Sequence, residues 1–264
     1  MFLFHPLVRS GVDPVDREAE QEFAEQLERA ADSVDAAAQP VQSSSPARGL
    51  HELAEEINAD LIVVGSSKHG SVGRTILGNV GVALMHGSPC AVAIAPGGYA
   101  DQSDRSVSTI VVGYDGSPES QLALEAAYEL CRATAASLKL VAVAQPPAVV
   151  YGKSGGYGWE ALKETVEEQV RAQLDQARDA VPDDINVEPT LVSGEPAEAL
   201  AEVAKAPGSI LLLGSRAYGP LRRVLLGSVS RSLASAAPAP LIVHPRGMHE
   251  EPESEPKAEA GATA

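Results

Sequence analysis

The sequence of 264 residues is poor in cysteine, aromatic residues and basic residues, and it has no long apolar run. Its two cysteines, Cys90 and Cys131, lie far apart in apolar surroundings, which predicts reduced, buried thiols and no disulfide. Lys and Arg number 20 against 36 Asp and Glu, and a net charge of −16 argues against general binding to nucleic acid or anionic lipid. Because no run approaches the ~20 apolar residues of a membrane span and no signal peptide is recognisable, the chain is expected to be cytoplasmic.

Patterns for metal binding and nucleophilic catalysis are also missing. The six histidines form no i/i+4 pair and no His-Glu-x-x-His motif, so no transition-metal site is expected. No Ser-His-Asp or Cys-His arrangement suggests a nucleophile. Composition and spacing therefore favour a binding protein over a hydrolase.

What the sequence does contain is a repeated segment that reads as strand, loop and helix. Residues 61–64 and 210–213 are wholly apolar, as in strands buried on both faces. Each run is followed by a glycine and, 13 positions later, by a second one: Gly65 and Gly78, and Gly214 and Gly227. The register continues at a constant offset of 149 in residues 89–96 and 238–245. A tandem repeat is therefore predicted.

Domain boundaries follow from this repeat and from shifts in composition. The first domain is expected at residues 1–98 and the second at residues 107–246, joined by a polar linker at residues 99–106. The acidic tail at residues 247–264 is rich in Glu, Pro and Ala and is expected to be disordered.

Two motifs in the second repeat are of known type. Residues 111–118 read Val-Val-Gly-Tyr-Asp-Gly-Ser-Pro, and Gly214 is followed after 12 residues by Gly227-Ser228-Val229. Together they resemble the universal stress protein family, whose pattern is G-x2-G-x9-G-S/T after the fourth strand. The departures from this pattern are Ala217 and Lys68 at its second glycine and Asn79 at its Ser or Thr.

The resemblance implies an α/β fold in which each repeat is an adenine-nucleotide-hydrolase-like open parallel sheet, strand order 3-2-1-4-5, flanked by helices. Alternating strand and helix signals independently predict a parallel sheet. The first repeat lacks a counterpart of residues 110–133, the first strand and helix, so a gap in its sheet is expected. Either the true start lies upstream of Met1, or this repeat is a degenerate half-domain.

The last strand of each repeat, at residues 91–95 and 241–244, would be an exposed sheet edge if it were left alone. Pairing these two strands within the chain would cover both edges. An intramolecular pseudo-dimer is therefore expected, and a homodimer stays open.

For the second repeat, the resemblance implies a site for an adenine nucleotide, ATP or AMP, with or without Mg²⁺. The implied nucleotide-binding residues are Asp115, Val143, Gly214, Ser215, Ala217, Gly227, Ser228 and Val229. Asp115 would contact the adenine and ribose end, and Val143 would lie under the base. Gly227 and Ser228 would hold a phosphate at a helix N-terminus. For three of these residues an ordinary structural role is the alternative: an Asx turn for Asp115, a core position for Val143 and a helix cap for Ser228.

Arg222 and Arg223 precede Gly227 and could either neutralise phosphate charge or remain a solvated pair. Two other kinds of function stay open. Some members of the family act without a nucleotide as interaction modules. Adenylating enzymes of the PP-loop type share the fold class, but they open with Ser-Gly-Gly-x-Asp-Ser, which residues 113–118 do not match. We expect a nucleotide-gated regulator of the stress response that catalyses at most slow ATP hydrolysis.

Overall fold

The structure is a computed structural model, and it describes residues 2–3, 15–65, 79–99, 106–145, 157–215, 224, 227–236 and 238–245. Its elements in the first repeat are β1 (Phe2–Leu3), α1 (Val15–Asp32), β2 (Ala37–Ala38), α2 (Pro46–Glu56), β3 (Leu61–Gly65), α3 (Asn79–Leu84) and β4 (Ala91–Ala95). Those in the second are β5 (Thr109–Gly113), α4 (Pro118–Thr134), β6 (Ser137–Ala144), α5 (Tyr157–Asp179), β7 (Val187–Ser193), α6 (Pro196–Ala204), β8 (Ser209–Gly214), α7 (Ser228–Ala236) and β9 (Leu241–His244). The predicted acidic tail and most of the predicted linker lie outside the described residues.

A seven-stranded sheet in the order β3-β4-β9-β8-β5-β6-β7 forms the centre of the protein. From β5 to β9 this is the predicted order 3-2-1-4-5, and all neighbouring strands there are parallel. Ile110, Val111 and Val112 of the central strand β5 are fully buried, because strands flank both edges and helices cover both faces. The predicted α/β fold class is confirmed.

The predicted pairing of the last strands is also confirmed. β4 and β9 are antiparallel, with Val92 opposite Val243 and Ile94 opposite Leu241. This pairing joins the sheets of the two repeats into one. The core crosses the junction, because Met85 of the first repeat is buried in one cluster with these residues.

In the first repeat, β3 lies at the edge of the seven-stranded sheet. β1 and β2 form a separate parallel sheet, while β3 has a strand neighbour on one side only among the described residues. Val63 of β3 is 62% exposed, whereas Leu212, its counterpart in β8, is 1% exposed. The difference arises because α4 packs over β8, and the described part of the first repeat has no equivalent of this helix.

Three of the helices, α2, α4 and α6, begin with a cap followed by proline. Ser117 begins α4 by accepting a hydrogen bond from the Ser120 N–H, and Pro118 occupies the first helical position. The same arrangement begins α2 at Ser45 and α6 at Glu195. These caps fix where each helix starts relative to the strand before it.

The two cysteines are buried and unpaired, as predicted, and burial is the main cause that raises the pKa of both thiols. None of the helices in the described parts of the chain is long and apolar enough to cross a membrane.

Candidate functional site

A cleft of about 360 Å³ opens at the carboxyl ends of the parallel strands in the second repeat. It lies beside β5 and β8, where the direction of strand addition reverses, which is where open α/β sheets bind ligands. The predicted site residues that line the cleft are Asp115, Val143, Gly214, Ser215, Gly227, Ser228 and Val229. Ala217, Arg222 and Arg223 lie outside the described residues.

One wall of the cleft depends on a close approach between the end of β8 and the first turn of α4. A Cβ atom added to Gly214 would lie 2.4 Å from the Glu119 carbonyl oxygen, so only glycine fits there without movement. This approach places Glu119, which is 5% exposed, in the lining next to Ser215.

Ser215 has a buried hydroxyl with no hydrogen-bond partner among the residues that the structure describes. Its backbone N–H donates to the His244 carbonyl oxygen at 2.9 Å, which extends the pairing of β8 with β9 by one residue. The residue is 4% exposed, yet its Oγ contacts no donor or acceptor among the described residues. Buried hydroxyl groups are normally paired, and because the Oγ is inaccessible to solvent, a polar ligand atom in the cleft would pair with it only after the lining shifts.

Asp115 forms the turn that joins β5 to α4. Its Oδ1 accepts hydrogen bonds from both the N–H and the hydroxyl of Ser117, so the Asx turn expected as its ordinary role is present. In the described hydrogen bonds Asp115 uses only this one carboxylate oxygen. The side chain is exposed at the rim, so Oδ2 can accept a hydrogen bond from a ligand.

The opposite wall is the N-terminus of α7. The Gly227 N–H donates to Ser230 Oγ at 2.9 Å, which is the back-bond that a third helical residue makes to the residue before the helix. Ser228 is exposed and lines the cleft with Val229. The first N–H groups of a helix lack intrahelical partners and favour an anion, so this wall suits a phosphate.

The floor of the cleft is apolar. Val141 and Val143 are two residues apart and lie on the same face of β6. They line the cleft together with Leu200 of α6 and Leu213 of β8. A flat, largely apolar group would bury its faces here, while polar groups stand on the two walls.

The described lining carries two carboxylates, Asp115 and Glu119, and no lysine, arginine or histidine. Burial, followed by the Asp115 carboxylate, raises the pKa of Tyr114, whose hydroxyl therefore stays protonated at neutral pH. Among the described residues, an anionic group would accordingly be held by N–H and hydroxyl donors and not by ion pairs.

Sequence reasoning missed Glu119, Ser230 and Leu200 as lining residues. The Ser117-Pro118 helix start could have pointed to Glu119, since the first turn of that helix must lie at the same sheet edge as Asp115. Ser230 stands three residues after Gly227, the spacing of a cap contact. Nothing in the sequence near Leu200 indicates that α6 packs over β6.

Known proteins show which family shares these features. The sequence model of the universal stress protein family matches residues 5–96 and 107–245. Universal stress protein Rv2005c of Mycobacterium tuberculosis is 31% identical over 200 residues, covering 76% of this chain and 66% of the relative. Universal stress protein Rv2319c of the same organism is 28% identical over 222 residues, covering 83% and 75%. The chain thus spans just under two thirds of the length of the first of these relatives.

Solved structures agree with the fold. The crystal structure of a universal stress protein from Archaeoglobus fulgidus superposes with a TM-score of 0.61 at 22% identity, covering 90% of this chain and 84% of that chain. At this identity the likeness shows the fold alone, while the sequence match to both repeats shows the family. This chain belongs to the universal stress protein family.

Proposed function

We propose that the cleft of the second domain, residues 107–246, binds an adenine nucleotide, ATP or AMP, and that this binding gates a regulatory role in the stress response without catalysis. The observation that carries the proposal is the buried hydroxyl of Ser215, which has no partner in the described part of the chain and belongs to a cleft that ends at a helix N-terminus. An unpaired buried polar group costs free energy that a bound ligand would recover. The choice of adenine rests on the family resemblance of the Asp115 and Gly227 motifs.

The lining suits the parts of such a nucleotide. The N–H groups at the start of α7 and the Ser228 hydroxyl would hold a phosphate. Val143 would lie against the base, and Asp115 would accept a hydrogen bond from the base or ribose. Any Mg²⁺ would enter with the phosphates, since the described residues contain no group of three His, Cys, Asp or Glu side chains able to hold a metal ion.

A second candidate is an interaction module that binds no nucleotide. It is favoured by Ala217, which stands where the family pattern has its second glycine and adds a methyl group at that position. The two functions differ in one measurable property, the affinity of the purified chain for ATP.

Calorimetry on the full chain with Ser215→Ala and Ser209→Ala tests the proposal. Both serines have a buried Oγ without a partner among the described residues, but Ser209 begins β8 and Ser215 follows its end, so only Ser215 lines the cleft. We expect wild type to bind ATP with micromolar affinity, roughly −8 kcal/mol. Ser215→Ala should weaken ATP binding by about 1 kcal/mol, the usual net contribution of one hydrogen bond, and Ser209→Ala should leave it unchanged.

The possible results separate the hypotheses. Absence of binding by wild type at millimolar ATP would reject nucleotide binding and leave the interaction module. Binding that both variants weaken equally would show that the nucleotide does not contact Ser215. The two variants should have similar melting temperatures, because each loses the same buried hydroxyl.

A further inference from the structure

The segment that precedes Gly227 is attached to the first repeat. Gly87, in the turn between α3 and β4, donates its N–H to the Val224 carbonyl oxygen at 2.9 Å. Val224 returns a hydrogen bond from its own N–H to the Ser88 carbonyl oxygen at 3.0 Å. Val224 stands three residues before Gly227, so this reciprocal pair links the first repeat to the wall of the second repeat's cleft.

The attachment is buried on both sides. Val224 is fully buried in a cluster that contains Met85 of the first repeat and Leu233 of α7. Ser88 is also fully buried, and its Oγ donates to the Cys90 carbonyl oxygen at 2.9 Å, which holds the turn against the start of β4. Gly87 has a φ of +87°, a backbone conformation that side chains with a Cβ rarely adopt. The turn that holds Val224 is thus fixed by its own packing and by a glycine.

We propose that the first repeat positions the phosphate side of the second repeat's ligand site through this contact, an inference that rests on the proposed nucleotide binding. Three residues span at most about 10 Å, so fixing Val224 restricts where Gly227 and the N–H groups that follow it can lie relative to Ser215. The first repeat would thereby position one wall of the second repeat's site without lining it. By linkage, a nucleotide that needs this geometry also strengthens the contact between the repeats.

The test compares Gly87→Ala with Gly98→Ala in the full chain. Both glycines belong to the first repeat, both have positive φ, +87° and +79°, and neither lines the cleft. Of the two, Gly87 alone donates to Val224 in the described hydrogen bonds. In Gly87→Ala, residue 87 relaxes towards ordinary backbone angles and releases Val224, and ligand binding must then restore the strained conformation.

The strain that an L side chain adds in left-handed backbone corresponds to about five- to thirtyfold in an equilibrium constant. We expect Gly87→Ala to weaken AMP binding at least about fivefold while adenosine, which lacks the phosphate, binds within about twofold of wild type. Gly98→Ala should bind both ligands like wild type. A general loss of stability would weaken both ligands together, so the difference between AMP and adenosine isolates positioning.

Hydrogen exchange supplies the reciprocal measurement. AMP should slow amide exchange in a peptide covering residues 84–92, which does not line the cleft, and leave a peptide covering residues 47–58 unchanged. Two results with a wild type that binds AMP would together overturn positioning by the first repeat and leave nucleotide binding in place. Both glycine variants would bind AMP with equal affinity, and AMP would not change amide exchange at residues 84–92. If neither AMP nor ATP binds wild type, the proposed function fails and this inference fails with it.

Discussion

Gly65 and Gly214 occupy the same position of the two repeats, and the structure predicts opposite responses to alanine. At Gly214 a new Cβ would lie 2.4 Å from the Glu119 carbonyl oxygen and 2.5 Å from its carbonyl carbon. At Gly65 no described atom lies within 4 Å of the added atom. The reason is that α4 approaches β8, whereas the described part of the first repeat has no helix in the equivalent place.

The magnitude follows from the size of the overlap. Ordinary contacts of a Cβ begin at 3.4 Å, so the backbone of α4 or β8 has to move by about 1 Å, an overpacking that costs about 1–3 kcal/mol. Alanine also restricts the unfolded chain, which stabilises by about 0.4–1 kcal/mol at either site. Gly214→Ala should therefore be less stable than wild type by about 1–2 kcal/mol, and Gly65→Ala more stable by about 0.5 kcal/mol.

Urea unfolding measures this difference. The denaturation midpoints of wild type and both variants are followed by far-UV circular dichroism, without nucleotide, so that ligand binding does not contribute to stability. Equal stability of Gly214→Ala and wild type would refute the backbone contact between α4 and β8. Comparable destabilisation by Gly65→Ala would show that another part of the chain covers that position.

Two further predictions concern the junction and pH. Val92→Lys should destabilise the protein by several kcal/mol, because it buries a charge where β4 pairs with β9. Val63→Lys, at a side chain that is 62% exposed, should change stability by less than about 0.5 kcal/mol. An unchanged melting temperature for Val92→Lys would contradict the pairing. Burial lowers the pKa of His244, so its contribution to stability is complete above about pH 6.5 and is lost as the pH falls below that value. His244→Gln should flatten stability against pH in this range, and parallel curves for wild type and variant would contradict the assignment.

The sequence predicts best those elements whose local pattern and tertiary role agree. β9 is an apolar run followed by proline, and the sequence predicts its bounds because burial and turn chemistry coincide. β2 is different, since Ala37 and Ala38 carry no strand pattern and pair with β1 only through tertiary contact. The formation of such a short strand depends on pairing with its neighbour, and its own residues do not predict it.

The cleft shows the same distinction. Asp115, Gly214 and Gly227 follow strands or begin a helix, so their spacing along the chain is enough to place them at one sheet edge. Glu119 and Leu200 enter the lining because of the way α4 and α6 pack across neighbouring strands, and a sequence pattern does not encode that arrangement. The unpartnered state of Ser215 Oγ likewise depends on which groups surround it after folding.

The ligand cleft and the completion of the sheet depend on different strands of a repeat. A ligand cleft needs the first and fourth strands together with the first helix, which the second repeat supplies as β5, β8 and α4. Completing the sheet needs only the fifth strand, and β4 does this for β9 with β3 behind it. The described part of the first repeat therefore covers the edge of β9, buries Met85 in the shared core and holds Val224. Those contacts come from the described part of the first repeat, and none of the residues that make them lines the cleft.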